Sequence, residues 1–567
     1  MKPNRKWYEH YPSEIPTSLK YEKKALHVYL EESAKAYKEK KALYFMGKEL
    51  SYHELFLKSK QMANYLQSLG VRKGDKVAIM LPNCPQAVIS YYGILMAGGT
   101  VVQTNPLYTE RELEYQLNDS GTSVIVCLDI LLPRVTKVKG NTELKHTIVT
   151  GIKDYLPFPK NLIYPFIQKR EYNMVVKVEQ SIDTHVWQLM MEKTPAEYLE
   201  PEIDPVEDLA LLQYTGGTTG HPKGVMLTHY NLTSNVEMCE SWLYKTENGR
   251  EIVMGVLPFF HVYGMTTVMN LSIKQGSKMI LMPKFNALDV LKAIDKQRPT
   301  LFPGAPTIYV ALLNHPDLKK YDLSSIKACI SGSAPLPTEV QEQFEKITNG
   351  KLVEGYGLTE SSPVTHANFV WENRVNGSIG VPWPDTDCKI FKMDAIDEEA
   401  EVGEVGEIAV KGPQIMKGYW NNEEETNNVL KNGWLFTGDL GYMNEQGYFY
   451  IVDRKKDMII AGGYNIYPRE VEEVLYDHEG IQEAVVAGIP DAYRGETVKA
   501  YIVLKQDYSI TEDALNEYCR KHLAAYKVPR IYEFRKELPK TAVGKILRRK
   551  LVDEEVARQT EESVTSI

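Results

Sequence analysis

The chain has 567 residues, more than one hydrophobic core usually serves, so two or more domains are expected. Its net charge of −9 at pH 7 argues against a nucleic-acid-binding surface, because neutralising phosphates takes clustered Lys and Arg residues. The six cysteines form no C-x-x-C pair, and no apolar run reaches the length of a membrane span. The sequence therefore predicts a cytoplasmic protein with neither a disulfide framework nor a cysteine metal site.

Predicted strands and helices alternate along the first 450 residues. Four apolar runs of strand length predict buried strands, at residues 76–81, 123–127, 278–282 and 326–330. Amphipathic segments at residues 288–297 and 338–348 predict helices. Strands that alternate with helices are typical of an α/β fold with largely parallel sheets.

A change of pattern near residues 453–457, DRKKD, predicts a domain boundary. Downstream of it, strands are predicted at residues 484–488 and 497–504, and helices at residues 512–522 and 547–557. About 110 residues of this mixed pattern are enough for a small α+β domain. A plain solvated loop is the alternative interpretation of the charged run.

The segment 156–170, LPFPKNLIYPFIQKR, mixes aromatic, apolar and basic side chains. This composition is compatible with a segment that rests on a membrane surface. The alternative is an ordinary surface insertion that packs on the large domain.

Residues 214–224, YTGGTTGHPKG, form the most informative stretch of the chain. Its four glycines let backbone N–H groups approach an anion, while threonine hydroxyls and Lys223 add donors and a positive charge. The stretch is not the G-x-x-x-x-G-K-[ST] nucleotide loop, because His221 and Pro222 separate Gly220 from the lysine. A flexible linker is disfavoured by the fixed proline and the apolar run that follows. The candidate ligands are Thr215, Gly216, Gly217, Thr218, Thr219, Gly220 and Lys223.

This loop resembles the signature of the adenylate-forming superfamily, which includes acyl-CoA synthetases, the adenylation domains of peptide synthetases, and luciferases. The resemblance covers nearly the whole chain, from about residue 50 to residue 550. It implies that the loop binds the β- and γ-phosphates of ATP, that AMP is transferred to a carboxylate, and that pyrophosphate is released. It also implies a large N-terminal domain of stacked, mostly parallel sheets and a small mobile α+β C-terminal domain.

Residues 354–360, EGYGLTE, resemble the second hallmark of that superfamily. The resemblance implies that Tyr356 stacks beside adenine, that Thr359 contacts the α-phosphate, and that Glu360 ligates Mg²⁺, while Thr215 is a candidate second ligand by its position. Mg²⁺ favours one or two carboxylates together with phosphate oxygens, which agrees with this assignment. The turn at residues 332–336, GSAPL, lines the adenine pocket in the family or is a common strand-to-helix turn. These two segments supply the candidates Gly332, Ser333, Ala334, Glu354, Gly355, Tyr356 and Gly357.

The run of residues 432–456 resembles the fatty acyl-CoA synthetase signature. The resemblance implies that Asp439 accepts hydrogen bonds from both ribose hydroxyls, which suits a group with two acceptor oxygens. Arg454 would contact ribose or phosphate, and Lys456 would lie at the hinge. The expected organisation is an N-terminal domain of residues 1–452, a hinge at 453–456 and a mobile domain of residues 457–567.

Two further segments of the C-terminal region match the family. In residues 539–546, PKTAVGKI, the resemblance implies that Lys545 holds the substrate carboxylate against the α-phosphate. The alternative places Lys545 on a basic face with Arg548 and Arg549. In residues 461–465, AGGYN, the resemblance implies that Gly462, Gly463 and Tyr464 line the tunnel for the pantetheine arm of coenzyme A.

Residues 257–265, LPFFHVYGM, match the family's acyl-pocket segment. The resemblance implies that His261 lies beside the carboxylate pocket and positions the substrate, which is already ionised at pH 7. Met265 departs from the aromatic gate that some long-chain members carry at this place.

The hypothesis is an ATP- and Mg²⁺-dependent ligase that joins a long-chain fatty acid to coenzyme A through acyl-AMP. A medium-chain or aryl CoA ligase, an enzyme that loads a carrier protein, and a non-catalytic nucleotide or acyl sensor are the alternatives. The expected partners are the fatty acid, ATP and coenzyme A, without nucleic acid. A peripheral contact with the inner face of the membrane and a homodimer remain open.

Overall fold

The computed structural model describes residues 5–215, 222–372, 374–393, 395, 398–461, 464–491, 494–541 and 546–565. The chain divides into two compact units. The first comprises Met1–Asp387 and Lys411–Leu435, and the second comprises Cys388–Val410 and Phe436–Ile567.

An eight-stranded sheet forms the centre of the first unit. Its strands, in spatial order, are Gly418–Tyr419, Lys223–Thr228, Leu209–Thr215, Thr100–Gln103, Lys76–Met80, Val124–Leu128, His146–Thr150 and Thr184–Val186. The last six run parallel, and the first two are antiparallel additions at one edge. Val124–Leu128 is buried along its whole length, as expected of a parallel strand with both faces covered.

Two four-stranded sheets complete the strands of the first unit's main body. One has the order Ile252–Gly255, Lys278–Leu281, Lys41–Phe45, Lys48–Ser51, and the other the order Ala328–Ser331, Lys351–Gly357, Val364–Ala367, Val381–Pro382. Leu301 bridges them by pairing with Val253 on one side and Ala328 on the other. The short strand Leu430–Lys431 pairs antiparallel with Trp434 and Leu435.

Helices alternate with many of these strands along the chain. They are Val28–Ala36, Tyr52–Ser68, Pro85–Met96, Glu110–Ser120, Leu132–Lys139, Lys160–Tyr172, Trp187–Lys193, His229–Trp242, Val262–Gly264, Leu271–Gln275, Ala287–Gln297, Pro306–Leu313, Thr338–Thr348 and Glu423–Val429, with a π-helical segment at Met265–Asn270. Short 3₁₀ turns lie at Lys6–His10, Asp129–Leu131, Ile152–Tyr155, Leu318–Lys320 and Thr359–Ser361. Pro85–Met96 is buried at every residue, which accounts for its nearly continuous apolar sequence.

The second unit contains two sheets and three helices within the described residues. Asp387–Phe391, Gly406–Lys411, Trp434–Met443 and Phe449–Arg454 contribute to one sheet. Tyr464–Ile466, Ile459–Ala461, Gly495–Leu504 and Ile481–Asp491 form the other in that order, with Ile531–Phe534 paired to Gly495–Leu504. The helices are Pro468–Tyr476, Glu512–His522 and Arg548–Thr565.

The α/β fold class is confirmed, and each predicted strand and helix is present. Ala287–Gln297, Thr338–Thr348 and Glu512–His522 match their predicted spans to within a residue. All six cysteines are buried, as the sequence predicts. In the parts of the chain that the structure describes, no helix combines the length and the apolar character needed to cross a membrane.

Candidate active site

The stem of the predicted phosphate loop is a β-hairpin in the first unit. The strand Leu209–Thr215 ends where the loop begins, and Lys223–Thr228 starts where it ends, with Thr215 paired opposite Lys223. The loop residues Gly216, Gly217, Thr218, Thr219 and Gly220 lie outside the described residues. The hairpin therefore brings the first and last candidate ligands of the loop side by side.

A chain of polar contacts joins Lys223 to Glu360. The Lys223 ammonium contacts the Glu425 carboxylate and lies 5.2 Å from the ring centroid of Tyr419. The Tyr419 hydroxyl donates a hydrogen bond of 2.8 Å to Oε1 of Glu360. One tyrosine thus contacts both the phosphate-loop lysine and the predicted metal ligand.

Backbone pairing holds Tyr419 in this position. The strand Gly418–Tyr419 pairs antiparallel with Lys223–Thr228, so that Tyr419 lies opposite Val225. The N–H of Met416 donates to the carbonyl oxygen of Glu360 at 2.8 Å, which attaches the turn Thr359–Ser361 to the same segment. Burial, and after it the charge of Glu360, raise the pKa of Tyr419, so the hydroxyl keeps its proton and acts as the donor.

The strand Lys351–Gly357 carries the residues predicted to surround adenine. The ring of Tyr356 meets that of His366 edge to face, with centroids 5.8 Å apart. Burial lowers the pKa of His366 to about 3, so this histidine is neutral at physiological pH. Gly357 is required by close packing, because a Cβ atom there would lie 2.1 Å from the carbonyl oxygen of Pro363.

Glu354 supports a neighbouring turn. Its carboxylate is buried and accepts a hydrogen bond of 3.2 Å from the N–H of Leu336, the last residue of the GSAPL turn. Within that turn Ser333 adopts a φ of 72°, a left-handed conformation that is uncommon outside glycine. The contact fixes the position of the turn that contains Gly332, Ser333 and Ala334.

His261 lies close to this turn through Tyr263. A Cβ atom on Gly332 would lie 3.1 Å from the Tyr263 ring, whose hydroxyl donates to the carbonyl oxygen of Ile330 at 2.7 Å. Nδ1 of His261 accepts a hydrogen bond of 3.3 Å from the N–H of Tyr263. The amide of Gln213, two residues before Thr215, donates to the carbonyl oxygen of Phe260 at 2.9 Å and ties this segment to the phosphate-loop strand.

An apolar cavity of about 30 Å³ lies beside Ile330 and the π-helical segment Met265–Asn270. Its lining includes Cys239 and Thr267, together with Ile330, Val364 and Trp383. Ile330 is two residues before Gly332, and Thr267 belongs to the π-helical segment Met265–Asn270 that follows His261. The cavity has room for only a very small molecule, so a fatty acyl chain requires the lining to move.

A second set of predicted residues meets in the second unit. Asp439 and Arg454 lie opposite each other on paired strands, and Nε of Arg454 is 3.1 Å from Oδ1 of Asp439. The Asp439 side chain is buried, whereas that of Arg454 is 40% exposed. The neighbouring Lys455 pairs with Glu407 at 2.8 Å, and Oε1 of Glu407 also accepts a hydrogen bond of 3.1 Å from the N–H of Gly438.

The predicted hinge residues form contacts within the second unit. Lys456 is on the surface, where nearby protein atoms displace part of its solvent and lower the pKa of its ammonium group, with the charge of Arg454 acting in the same direction. Asp453 is buried and accepts hydrogen bonds from the N–H groups of Arg454 and Arg469, at 2.7 and 2.8 Å. Burial raises the pKa of Asp453 to about 6, although the positive charge of Arg548 opposes the shift.

Arg548 does not belong to an exposed basic face. Its guanidinium lies 2.7 Å from carboxylate oxygens of both Asp457 and Glu472, and only 20% of the side chain is exposed. Lys545 lies outside the described residues, as do Gly462 and Gly463, while Tyr464 begins the strand Tyr464–Ile466. The predicted roles of these four residues stay predictions.

Sequence models of known families account for both units. The model described as "AMP-binding enzyme" matches residues 30–420, and the one described as "AMP-binding enzyme C-terminal domain" matches residues 470–545. The chain belongs to the AMP-binding enzyme family.

Curated AMP-binding enzymes resemble this one over its full length. A long-chain-fatty-acid–CoA ligase of Bacillus subtilis (strain 168) is 58% identical, with 98% of this chain and 99% of the relative aligned. An Escherichia coli O6:H1 protein of the same name is 41% identical, with 97% and 98% of the two chains aligned.

Among solved structures, an anthranilate CoA ligase in complex with anthranoyl-AMP superposes with a TM-score of 0.83 at 27% identity, covering 96% of this chain and 98% of that one. ATP-bound MatB from Rhodopseudomonas palustris superposes with a TM-score of 0.81 at 28% identity, covering 94% of this chain and 99% of that one.

Two residues of this AMP-binding enzyme's site are absent from the sequence predictions. Tyr419 reaches Glu360 across 59 residues of sequence, and Glu425 reaches Lys223 across 202. Glu425 is one of three glutamates in the first turn of the helix Glu423–Val429, an ordinary pattern at a helix N-terminus. No local signal therefore distinguishes Glu425 from the neighbouring glutamates. Only the strand pairing of Gly418–Tyr419 shows that Tyr419 and Glu425 belong to the site.

Proposed function

We propose that the protein ligates a long-chain fatty acid to coenzyme A, using Mg·ATP and an acyl-AMP intermediate. The observation that carries this proposal is the 58% identity, over almost the whole of both chains, to a ligase of that name. The polar contacts around Lys223 and Glu360 support it, because they assemble a cation and a carboxylate at the stem of the phosphate loop.

In the first half-reaction, a carboxylate oxygen of the fatty acid attacks the α-phosphorus of ATP and pyrophosphate leaves. Lys223 and the hydroxyl of Thr215 bind phosphate oxygens, and Thr359 contacts the α-phosphate. The protein holds the two reactants in line, so that no covalent enzyme intermediate is needed.

The residues present fit a Mg²⁺ ion. Glu360 supplies a carboxylate and Thr215 a hydroxyl, both hard oxygen ligands of the kind this ion prefers. Within the described residues no cluster of three or more His, Cys, Asp or Glu side chains forms a closed metal site. This arrangement agrees with an ion that takes its remaining ligands from phosphates and water. When bound, the ion neutralises charge on the phosphates.

Asp439 and Arg454 bind the ribose end of the nucleotide in this proposal. A carboxylate has about four lone-pair positions, enough to accept from Arg454 and from two hydroxyls of a ribose. The Asp439–Arg454 contact orients that carboxylate before the nucleotide binds. Lys545 then holds the fatty acid carboxylate close to the α-phosphate, which lowers the barrier by offsetting developing charge.

The second half-reaction moves the acyl group to sulfur. The thiolate of coenzyme A attacks the acyl carbonyl carbon, the C–O bond to AMP breaks, and AMP leaves. Gly462, Gly463 and Tyr464 line the pantetheine tunnel, and a rotation of residues 457–567 about a hinge at 453–456 brings them to the site. The close backbone approach that glycine allows supports this assignment of the two glycines.

The acyl chain enters the apolar cavity lined by Thr267 and Ile330. We assign the opening of this cavity to a movement of the π-helical segment Met265–Asn270, since such segments are rare and concentrate at functional sites. His261 fixes the carboxylate end, and Met265, flexible and buried, replaces an aromatic gate. An aryl substrate is the second candidate, because a probable 4-coumarate–CoA ligase of Dictyostelium discoideum is 35% identical over 89% of this chain.

Two broader proposals concern the location and the assembly of the protein. The protein works in the cytoplasm with a peripheral contact at the inner face of the membrane, where fatty acids partition. Assembly as a homodimer is the second proposal, and it rests on the sequence hypothesis alone.

The test is AMP release by the purified protein with Mg·ATP and coenzyme A, across fatty acids from short to long and one aromatic acid. CoA-dependent release that peaks at long chains supports the proposal, while a peak at the aromatic acid favours the second candidate. Absence of AMP release with every acid contradicts ligase activity.

A Lys545→Ala variant separates the half-reactions. We expect adenylation to fall by roughly two to three orders of magnitude, whereas thioester formation from supplied acyl-AMP is nearly unchanged. Equal loss of both half-reactions contradicts the role assigned to this lysine.

A further inference from the structure

The structure describes every residue of the helix Lys160–Tyr172. This helix exposes its large apolar side chains and buries a polar one. Its one buried residue is Gln168, whose amide donates a hydrogen bond of 3.3 Å to the buried Asp129. Leu162 and Phe166 are 63% and 74% exposed. A helix on a soluble protein ordinarily turns its apolar face inward, so this arrangement calls for a partner.

The exposed apolar residues share one face. Leu162, Ile163, Phe166 and Ile167 recur at the i, i+1, i+4 and i+5 positions, which lie side by side along a helix. Phe158, four residues before Leu162, is 79% exposed. Bulky apolar groups gathered in this way are typical of an interaction surface.

Positive charge surrounds this face. Residues 153–171 contain four cations, Lys153, Lys160, Lys169 and Arg170, and two acids, Asp154 and Glu171. Asp154 is turned inward, where its carboxylate accepts hydrogen bonds from the N–H of Gly151 and the hydroxyl of Thr150. The local excess of positive charge contrasts with the net charge of −9 for the chain.

Two more lysines extend the positive region from the neighbouring elements. The ammonium groups of Lys48 and Lys58 lie 5.2 and 6.0 Å from the ring centroid of Tyr155, in the 3₁₀ turn that precedes the helix. Lys160 donates to the carbonyl oxygen of Met46 at 2.9 Å, which brings the lysine-bearing hairpin and the helix together. Cations from three segments therefore lie near the N-terminal end of this helix.

We propose that the docking face, defined as Phe158, Leu162, Ile163, Phe166 and Ile167 with Lys169 and Arg170, lies on a membrane that contains anionic lipids. Its apolar side chains enter the acyl boundary, and the flanking cations contact lipid phosphates. A second copy of the chain fits this face less well, because a symmetric contact would place the two sets of cations against each other. The inference gives a location to the membrane contact proposed above and does not depend on the ligase reaction.

The test is co-sedimentation of the full-length protein with vesicles, either of phosphatidylcholine alone or of equal parts phosphatidylcholine and phosphatidylglycerol. We expect the wild type to bind the anionic vesicles and to dissociate as salt is raised. The Leu162→Asp/Phe166→Asp double variant should lose about tenfold or more in partition coefficient. Lys169→Gln and Arg170→Gln should each lower binding to the anionic vesicles about fivefold.

Leu199→Asp is the matched control, since Leu199 is 82% exposed and lies outside the docking face. Thermal unfolding by circular dichroism checks that each variant folds, and if the double variant does not fold, Phe166→Ser alone must still lower the partition coefficient. Equal binding of wild type and double variant, or no binding to anionic vesicles, overturns the proposal. The proposal is also overturned if sedimentation velocity shows a dimer of the wild type that the Phe166→Ser substitution dissociates. AMP release without vesicles is measured separately, so failure of the ligase proposal is distinguishable from failure of this one.

Discussion

Removing one hydroxyl group tests the contact between Tyr419 and Glu360. In Tyr419→Phe the ring stays beside Lys223, while Glu360 loses the donor 2.8 Å from its Oε1. A hydrogen bond to a charged group contributes about 1.5–3 kcal/mol, and the partial exposure of Glu360 favours the lower end. About 1.5 kcal/mol corresponds to roughly a tenfold change.

Loss of this hydrogen bond should change the Mg²⁺ dependence of the reaction, because the Tyr419 hydroxyl orients the Glu360 carboxylate that is proposed to ligate the ion. The assay is ATP–pyrophosphate exchange with a long-chain fatty acid, titrated with Mg²⁺. We expect about tenfold more Mg²⁺ to be needed for half-maximal exchange, with much of the rate restored at saturation.

Tyr244→Phe is a matched control. The Tyr244 hydroxyl donates to Glu372 at the same distance of 2.8 Å, and neither residue belongs to the proposed site. If the two variants show the same Mg²⁺ dependence as the wild type, the assignment of Tyr419 as a positioning residue for Glu360 is refuted.

Three other variants test separate parts of the molecule. Asp439→Ala should raise the KM for ATP about tenfold or more, and an unchanged KM would contradict the ribose contact. The free energy of unfolding of Asp453→Asn should rise relative to that of the wild type as pH rises from 4 to 7. Because the native pKa of Asp453 is raised to about 6, its deprotonation costs the wild type up to about 3 kcal/mol of stability over this range, and the asparagine does not titrate. Urea unfolding across that range measures the difference, and a constant difference would show that Asp453 is not the titrating group. Gly357→Ala should lower the free energy of unfolding by about 3 kcal/mol or more because the new Cβ meets backbone, whereas Gly140→Ala, with open space around it, should cost little in the same urea titration.

The elements of this fold follow from local pattern. A continuous apolar run such as Val124–Leu128 fits a strand covered on both faces, and the amphipathic spacing of Thr338–Thr348 fits a helix with one buried face. Motifs of adjacent residues, such as those around Lys223 and Glu360, are likewise visible in the sequence. Both kinds of feature depend on residues that are neighbours in the chain.

Features that depend on distant pairing could not be predicted. Tyr419 enters the site because a two-residue strand pairs with Lys223–Thr228, almost 200 residues earlier. The sequence grouped Arg548 with exposed cations as an alternative reading, but Asp457 and Glu472 enclose it from elements that fold against it. The composition of residues 156–170 likewise does not predict which side of the helix faces outward. The burial of Gln168 identifies the inward side.

The six buried cysteines have a consequence for a protein whose proposed co-substrate is itself a thiol. Burial raises the pKa of the thiols of Cys84, Cys127, Cys239, Cys329 and Cys519, and Cys388 is buried as well. Mixed disulfides form by attack of an accessible thiolate, so oxidised coenzyme A finds little on the folded surface with which to exchange. A chromogenic disulfide reagent should therefore report the disappearance of free coenzyme A almost without background. The same reagent should begin to react with the protein only when the chain unfolds.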